Sequence, residues 1–441
     1  MEFIQNYVTA HNLVISAGIL IVAYFFIALD KIPKVTIALL GAVITIILGL
    51  VSQTKTVDGL INQLYFINFV DFNVIFLLVS MMIIVLITTR SGVFNYIANE
   101  LLKLTKGHPI KVLVTLGLFT AFVSAFLDNV TTVILIMPIT FSICKKLDIN
   151  PIPYLLCEVM ASNIGGTATL IGDPPNIIIG STGGLTFMDF IKELTPGVAV
   201  IMLAVMIFYV LCFRKVLVTT KEKMAEVSKI DNSNTITDFN LMIRSTIVLV
   251  LVIIGFMLHD VIHVETCIIA MLGACVLLLF EKPTEILREV EWNTIFFFVG
   301  LFIIIGGLEA SGGIKMMAEW VLNVTDGNQN ATAMIILWAS GIISGFIDNI
   351  PYTATMAPMI LEIEKATSID YAYPLWWALS LGACLGGNLT IIGAAANVIV
   401  SENAAKAGYP IPFMRFMKYG VGVVLISLVI STGYIYLRFL A

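Results

Sequence analysis

Two Asp-Asn pairs lie inside apolar stretches of the chain, at Asp128-Asn129 and Asp348-Asn349. Each pair falls midway along its stretch, where a charged side chain costs roughly 2.5 to 3.5 kcal/mol on membrane-insertion scales. These residues could simply cap a helix that starts there, by accepting its free backbone N–H groups. Because Ser or Thr could cap without a charge, we expect the aspartates, assisted by Thr131 and Thr353, to face an ion as well. Such a carboxylate can ligate sodium or carry a transported proton.

A third carboxylate, Asp173, lies in an apolar region that cannot form one continuous helix. The region 154–180 is interrupted first by polar and glycine residues and then by the run 172–176, Gly-Asp-Pro-Pro-Asn. Pro174 suits the first position of a new half-helix, and Asp173 suits its cap. Carbonyl groups freed around Gly165 are suited to a cation, and half-helix N-termini are suited to an anion. The first interruption consists of Asn163, Gly165, Gly166, Thr167 and Thr169, and the second ends at Asn176.

The second half of the chain carries a similar run without the carboxylate. The string GGTATLIGDPPN at 165–176 aligns with GGNLTIIGAAAN at 386–397, and six of the twelve positions are identical. Ala394 takes the place of Asp173 in this alignment. We therefore predict two broken helices that are similar in backbone and unequal in chemistry. The residues of the second break are Gly386, Gly387, Asn388, Thr390 and Asn397.

These patterns predict ion-binding positions rather than a catalytic centre. The sequence places three carboxylates at membrane depth, namely Asp128, Asp173 and Asp348. Sodium is predicted at Asp128, Asn129 and Gly165, and equivalently at Asp348, Asn349 and Gly386. The six cysteines stand singly without metal-ligand spacing, so the only cofactor we expect is Na⁺ or H⁺ as a coupling ion.

The composition indicates that this chain is embedded in a lipid bilayer. Of 441 residues, 59% are hydrophobic and 12% are charged, and the mean hydropathy is +1.01. An average soluble domain has roughly 25% charged residues. The net charge of -5 is small and spread over connecting segments, which excludes nucleic acid as a partner. The sequence thus predicts an all-α, multi-pass protein of the cell membrane.

An internal repeat organises the chain, since three blocks recur after 220 or 221 residues. DFNVIF at 71–76 matches EWNTIF at 291–296, SAFLDN at 124–129 matches SGFIDN at 344–349, and the third block is the pair of broken helices. The predicted divisions are a first repeat at 1–213, a cytoplasmic linker at 214–243 and a second repeat at 244–441. Each repeat contains one re-entrant hairpin and one broken helix, at about 110–144 and 154–180 in the first and about 332–366 and 374–400 in the second. The eight simple spans are about 13–29, 35–52, 72–90, 195–213, 244–258, 265–281, 292–308 and 413–437.

Five crossings in each half give about ten transmembrane helices and invert the second repeat. Cytoplasmic loops hold most Lys and Arg residues of membrane proteins. When the chain is traced through these ten crossings, 19 of the 24 basic residues fall on one side of the membrane, including Lys31 and Lys34. Both termini are then predicted outside. Inverted repeats with broken helices are the architecture of secondary transporters. The five basic residues on the opposite side are Lys55, Lys192, Lys315, Lys365 and Arg438.

Three strings resemble the ion transporter superfamily: FLDNVTT at 126–132, SNIGGTATLIGDPPN at 162–176 and LSLGACLGGN at 379–388. Within it they resemble the branch of the melanosomal P protein, arsenite permease-like proteins and NhaD-kind sodium/proton antiporters, and more distantly the divalent anion/sodium symporters. The resemblance implies hairpin tips at 128–131 and 348–353 and unwound segments at 163–169 and 386–390. It also implies an elevator-like motion of a transport domain against a scaffold, often in a homodimer.

The substrate stays open at this stage. Aspartate replaces the serine of the symporters at both tips, and a fixed negative charge there repels a dicarboxylate. Asp128 and Asp348 fit sodium/proton antiport, or proton-coupled transport of arsenite or another small, weakly charged species. The alternatives are a passive anion channel, a sodium-coupled carboxylate symporter and an intramembrane aspartyl protease. The expected partners are a small inorganic or organic ion and the lipid bilayer.

Overall fold

A computed structural model of the chain describes residues 7, 8, 10–29, 31–51, 63–227, 232 and 235–441. These residues form twenty-one α-helices and, over the same described ranges, no β-strand. The first half contains α1 (Asn12–Leu29), α2 (Lys34–Ile47), α3 (Phe72–Arg90), α4 (Val93–Leu104), α5 (Pro109–Ser124), α6 (Asn129–Leu147), α7 (Ile152–Gly166), α8 (Pro174–Gly183), α9 (Phe187–Glu193) and α10 (Thr195–Phe213).

The short helix α11 (Lys221–Val227) follows, and the second half repeats the order of the first. It contains α12 (Phe239–Ile262), α13 (Thr266–Leu278), α14 (Pro283–Glu289), α15 (Trp292–Ala310), α16 (Gly313–Val324), α17 (Gln329–Ile343), α18 (Asn349–Ala366), α19 (Ile369–Gly386), α20 (Ala395–Lys406) and α21 (Phe413–Ile435). The predicted all-α fold of two inverted repeats is confirmed. The pairs α5–α6 and α17–α18 are the hairpins, and the pairs α7–α8 and α19–α20 are the broken helices.

Within the described ranges, seven helices are long and apolar enough to cross a membrane: α1, α3, α6, α10, α12, α15 and α21, the last with its C-terminal extension to Leu440. The shorter apolar helices α2, α5, α13 and α17 accompany them. Their outward faces are apolar as well, with Leu40 60% and Leu203 61% exposed. A helix that is apolar on all sides is stable in lipid, where the exposed face is solvated by acyl chains.

The helices pack as two bundles. The first bundle, called the scaffold here, contains α1, α2, α3, α12, α13 and α15, with α15 packed on α2 and α13 on α3. The second, called the core, contains both hairpins, both broken helices, α10 and α21, with α5 on α7 and α17 on α19. Each bundle takes equivalent helices from both repeats. The amphipathic helices α4 and α16 lie between the bundles, packing on the hairpin helices α6 and α18.

Two glycines allow the closest helix crossings of the core. A Cβ added to Gly165 of α7 would lie 2.1 Å from the carbonyl oxygen of Ala121 in α5. A Cβ added to Gly386 of α19 would lie 2.6 Å from the carbonyl oxygen of Gly341 in α17. Small residues at such crossings let backbones approach and gain van der Waals contact, which is the main attraction between helices in lipid. Both glycines therefore hold a hairpin against a broken helix.

The segment between the repeats contacts both bundles. Lys223 of α11 forms a 2.5 Å ion pair with Asp148 at the end of hairpin helix α6. This hydrogen bond and charge lower the pKa of the exposed Asp148 carboxyl. Further on, the backbone N–H of Thr237 donates to the carbonyl of Ser91 at 3.1 Å, next to scaffold helix α3. Parts of the predicted linker, and the predicted positions of Lys55 and residues 1–6, lie outside the described residues.

Candidate functional site

A cavity of about 310 Å³ lies between the scaffold and the core. Its core wall is formed by both hairpin tips and the starts of the second half-helices, α8 and α20. Its scaffold wall comes from α2, α3 and α15. The charged and amide side chains lining it are Lys34, Asp128, Asn129, Asp173, Glu291, Asn293, Asp348 and Asn349.

Asp128 and Asn129 form the first hairpin tip. Asp128 is the cap of α6, and its Oδ1 accepts the backbone N–H of Thr131 at 2.9 Å. Ser124 donates its hydroxyl to Asn129 Oδ1 at 2.7 Å and lies 2.9 Å from the hydroxyl of Ser162 in α7. The predicted cap is present, and the tip is fastened to the first broken helix.

Asp348 and Asn349 form the second tip. Asp348 caps α18 by accepting the backbone N–H of Ile350 at 3.1 Å through Oδ1. Its other oxygen, Oδ2, lies 2.7 Å from the ammonium of Lys34. The side chain of Asp348 is only 3% exposed, so the ammonium takes the place of water beside this charge. Asp348 therefore combines the predicted cap with an ion pair to the scaffold.

Asp173 lies between the two tips. It occupies the cap position of α8 but makes no side-chain cap hydrogen bond, so the predicted capping role is wrong. Its carboxylate instead accepts from Asn349 Nδ2 at 3.3 and 3.4 Å. Its repeat counterpart, Ala394, lines the same cavity. The predicted chemical difference between the two halves, a carboxylate in the first and a methyl group in the second, therefore lies in the cavity lining.

Two charged residues at this cavity belong to the scaffold, and the sequence had not marked them as site residues. Lys34 had been counted among the loop cations, but it begins α2 and reaches Asp348. Glu291 immediately precedes α15, accepts the hydroxyl of Thr294 at 3.1 Å and lines the cavity together with Asp128. Glu291 is the first residue of the repeated block EWNTIF. The repeat alignment is therefore the sequence feature that could have indicated it as a site residue.

A further buried carboxylate lies away from the cavity. Glu158 of α7 is 2% exposed and accepts the hydroxyl of Thr140 in α6 at 2.5 Å. The sequence count of three carboxylates at membrane depth was therefore too low. No sequence pattern indicates Glu158, because it lies in an unbroken half-helix. The Gly and Pro residues that mark Asp173 are not adjacent to it.

The polar residues of the unwound segments bind the protein's own backbone. Asn176 donates to the carbonyls of Thr167 at 3.1 Å and Thr169 at 2.8 Å. Asn397 donates equivalently to Gly387 at 2.8 Å and Thr390 at 2.9 Å. The hydroxyls of Thr169 and Thr390 donate to the hairpin carbonyls of Ala125 and Gly345. Backbone that is not helical persists at this depth because these side chains satisfy it.

One amide joins the two broken helices. It belongs to Asn163 in α7, which stays helical to Gly166, so the predicted start of the first unwound segment at 163 is wrong. Asn163 Nδ2 donates to Asn388 Oδ1 at 2.9 Å and to Asn397 Oδ1 at 3.0 Å. The contacts cross from the first repeat to the second. Asn163, Asn388 and Asn397 therefore hold the two broken helices together behind the cavity.

The predicted sodium ligands are only partly brought together. Asp128 and Asn129, and likewise Asp348 and Asn349, line the cavity, whereas Gly165 and Gly386 face the helix crossings. The carbonyls of both glycines accept backbone N–H groups at 3.0 and 2.9 Å. Gly166 leaves room for Asn129, whose Oδ1 would lie 2.4 Å from an added Cβ, and Gly387 packs beside Gly393. Thr131 contributes its N–H to the first cap, and Thr353 is fully buried in α18.

Replacing Asn176 by leucine is expected to lower stability by about 2 to 4 kcal/mol, because two buried carbonyls lose their donor while the number and branching of the side-chain heavy atoms are kept. Thermal unfolding of the purified protein in detergent measures the effect. The matched control is Asn323→Leu on the exposed face of α16. An equal melting temperature for both variants would mean that the Asn176 contacts do not hold the unwound segment.

The chain matches known proteins over nearly its whole length. The family model CitMHS, described as "Citrate transporter", matches residues 24–382. An uncharacterized transporter of Mycobacterium bovis is 41% identical over 97% of this chain and 98% of its own length. The P protein of Sus scrofa is 31% identical over 96% of this chain, which spans 59% of that longer protein.

A solved structure has the same fold. The YdaH transporter of Alcanivorax borkumensis, described as having an unusual topology, matches with a TM-score of 0.58. The match covers 94% of this chain and 98% of the other, at 12% sequence identity. The predicted relationship to the ion transporter superfamily is confirmed. The chain is a multi-pass membrane transporter that belongs to the CitMHS family.

Proposed function

We propose that this protein is a secondary active transporter that couples the movement of a small ion to H⁺ or Na⁺ by an elevator-like motion of the core against the scaffold. One observation supports this most strongly: four carboxylates and one ammonium line a cavity between the two bundles. A cavity between separable bundles suits alternating access. Carboxylates in it suit a cation or a proton.

The charges of the cavity favour a cation as the coupling ion. Asp128, Asp173, Glu291 and Asp348 exceed Lys34 by three negative charges when all are ionised. At close range and low dielectric, such a field attracts cations and repels free polyvalent anions. The leading activity is therefore sodium/proton antiport. Proton-coupled transport of arsenite or another small, weakly charged species uses the same groups.

Asp128 and Glu291 are the proposed position of the coupling ion. They come from the core and the scaffold respectively, and both line the cavity. Two carboxylates in a confined site hold a shared proton or cation, since double ionisation is unfavourable. A core aspartate that exchanges this ion with a scaffold glutamate would link ion binding to the position of the core.

Replacing Glu291 by glutamine is expected to raise the half-saturating concentration of the coupling cation about tenfold, because one of two carboxylates is lost. The maximal rate should change less, since Asp128 remains. Rates of cation-driven flux in proteoliposomes provide both values. Glu319→Gln, on the exposed side of α16, is the control, and equal half-saturation in the two variants would remove Glu291 from the site.

The cavity is proposed to face the cytoplasm in this structure. Lys34 is the first residue of α2, and Glu291 immediately precedes α15. The distribution of basic residues assigns the loops before these helices to the cytoplasmic side. The described state is then the inward-facing one, with both termini outside and the protein in the cell membrane.

A carboxylate substrate is the second candidate, favoured by the description of the matching family. Reconstitution with imposed gradients decides between the candidates, using sodium, lithium, arsenite, chloride, citrate and small monocarboxylates as probes. The proposal expects saturable flux that responds to a proton or sodium gradient. Flux that ignores both gradients would contradict it, and unsaturable flux far above a carrier's rate would indicate a passive channel. Uptake of citrate alone would favour the second candidate.

A further inference from the structure

Lys34 joins the scaffold to the second hairpin directly across the cavity. It is the first residue of scaffold helix α2, and its Nζ lies 2.7 Å from Asp348 Oδ2 at the hairpin tip. The side chain of Lys34 is 20% exposed, whereas that of Asp348 is 3% exposed. The carboxylate therefore relies on the ammonium and on backbone N–H groups, rather than on water, for stabilisation.

We propose that the Lys34 ammonium is a resident cation of the Asp348 site, which a transported cation or proton must displace before the core can leave this position. The proposal rests on the proposed function, because it takes hairpin α17–α18 to move against α2. Lys34 belongs to the scaffold and cannot travel with the hairpin. Asp348 would become an uncompensated buried charge on departure unless another cation replaced the ammonium. Lys34 thereby makes the exchange obligatory.

The surroundings of the pair suit this competition. Asp128, Asp173 and Glu291 line the same cavity, so the local field favours any cation that enters to compete with Lys34. The hydroxyl of Tyr24 in α1 donates to the Pro351 carbonyl at 2.5 Å, just beyond the tip. The charge of Asp348 also acts on this hydroxyl.

The two tips differ in their scaffold partners. The carboxylate of scaffold residue Glu291 lines the cavity together with Asp128, whereas Asp348 is paired with the ammonium of scaffold residue Lys34. Carboxylate pairs hold an added cation, and an ion pair already contains one. The resident cation thus acts at the second tip, while the first tip is left for the coupling ion.

The test measures where the core sits, independently of which ion is carried. Spin labels are placed on the lipid-facing positions Leu40 of α2 and Leu203 of α10, and distances are measured by pulsed electron paramagnetic resonance in nanodiscs. The exposed native thiols, Cys212 and Cys275, are replaced by serine in all samples. The unmodified cavity should give a main distance equal to that in this structure at low sodium and high pH.

Lys34→Gln is expected to lower the ratio of this population to all others about tenfold or more, because the charge pair is lost. Lys34→Arg should keep the distribution, and so should Lys31→Gln, which removes a neighbouring exposed lysine. Asp348→Asn should release the core as Lys34→Gln does, which provides a second test if one variant fails to fold. A distribution unchanged by Lys34→Gln, or moved equally by Lys31→Gln, would overturn the proposal.

Failure of the proposed function gives a different result. If no ion gradient drives flux in any reconstituted sample, the transport assignment fails, but the distance populations are still measured. If flux is coupled and the populations ignore Lys34, the resident cation alone is refuted. The two ideas are therefore tested separately by flux and by distance.

Discussion

Asp128→Asn and Asp348→Asn are each expected to abolish coupled transport, by about a hundredfold or more, while the protein remains folded and inserted. Asparagine keeps the size of the side chain and its carbonyl oxygen, which can still cap α6 or α18. What it removes is the charge that binds a cation and releases a proton. For Asp348, truncating one partner of a buried charge pair costs roughly 2 to 5 kcal/mol, which corresponds to this loss. For Asp128, the substitution removes one of the two carboxylates that we propose hold the coupling ion.

Gradient-driven flux in proteoliposomes measures the effect, and thermal unfolding checks that the fold is kept. Asp326→Asn is the matched control, because Asp326 lies exposed between α16 and α17, away from the cavity. Normal coupling in either tip variant would refute the assignment of that aspartate. The two variants should also differ, since only Asp348→Asn frees the ammonium of Lys34.

Gly165→Ala is expected to have the largest effect on assembly. The new methyl group would lie 2.1 Å from the carbonyl oxygen of Ala121, and the neighbouring atoms in that helix are backbone as well. Backbone cannot rotate away as a long side chain can, so α5 and α7 must separate. Overpacking of this kind costs about 1 to 3 kcal/mol, and more where backbone must move.

The measurement is the yield and melting temperature of monodisperse protein in detergent. Gly433→Ala in α21 is the control, because an added Cβ there meets open space. We expect Gly165→Ala to lose most of the folded protein and the control to lose none. Equal behaviour of both variants would mean that α5 and α7 cross less closely than described.

Much of the fold follows from the sequence because lipid imposes simple rules. Long apolar runs must be helices, since their backbone groups have no water to bind. The recurrence of SAFLDN as SGFIDN and of GGTATLIGDPPN as GGNLTIIGAAAN then predicts a hairpin and a broken helix in each half. The structure has breaks at 167–173 and 387–394, inside the predicted regions.

The site was predictable only where a residue violates those rules. Asp128, Asp173 and Asp348 are charges at membrane depth, so their types and positions alone marked them. Lys34 and Glu291 stand at helix starts, where a charge is ordinary, and their role depends on how the two bundles dock. That docking is a long-range contact, which no local pattern encodes.

Gly165 and Asn176 illustrate a different limit of sequence reasoning. The pattern around them indicates a break in the helix, but the break lies at 167–173, after Gly165 and before Asn176. The pattern also suggested an ion as the group that satisfies the freed backbone. In the structure, Asn176 supplies hydrogen bonds to the freed carbonyls, and Gly165 packs against another helix. Whether a freed carbonyl binds an ion or an amide depends on the neighbouring helix, which is distant in sequence.

The most direct test of coupled transport through this cavity is a paired-gradient measurement in proteoliposomes. An inward sodium or lithium gradient is imposed at equal pH and internal pH is followed; then a pH gradient is imposed at equal salt and cation uptake is followed. We predict that each gradient drives the other ion, and that Asp128→Asn loses both responses while Asp326→Asn keeps them. Flux of any substrate that is indifferent to proton, sodium and lithium gradients, or that persists unchanged in Asp128→Asn, would contradict this prediction.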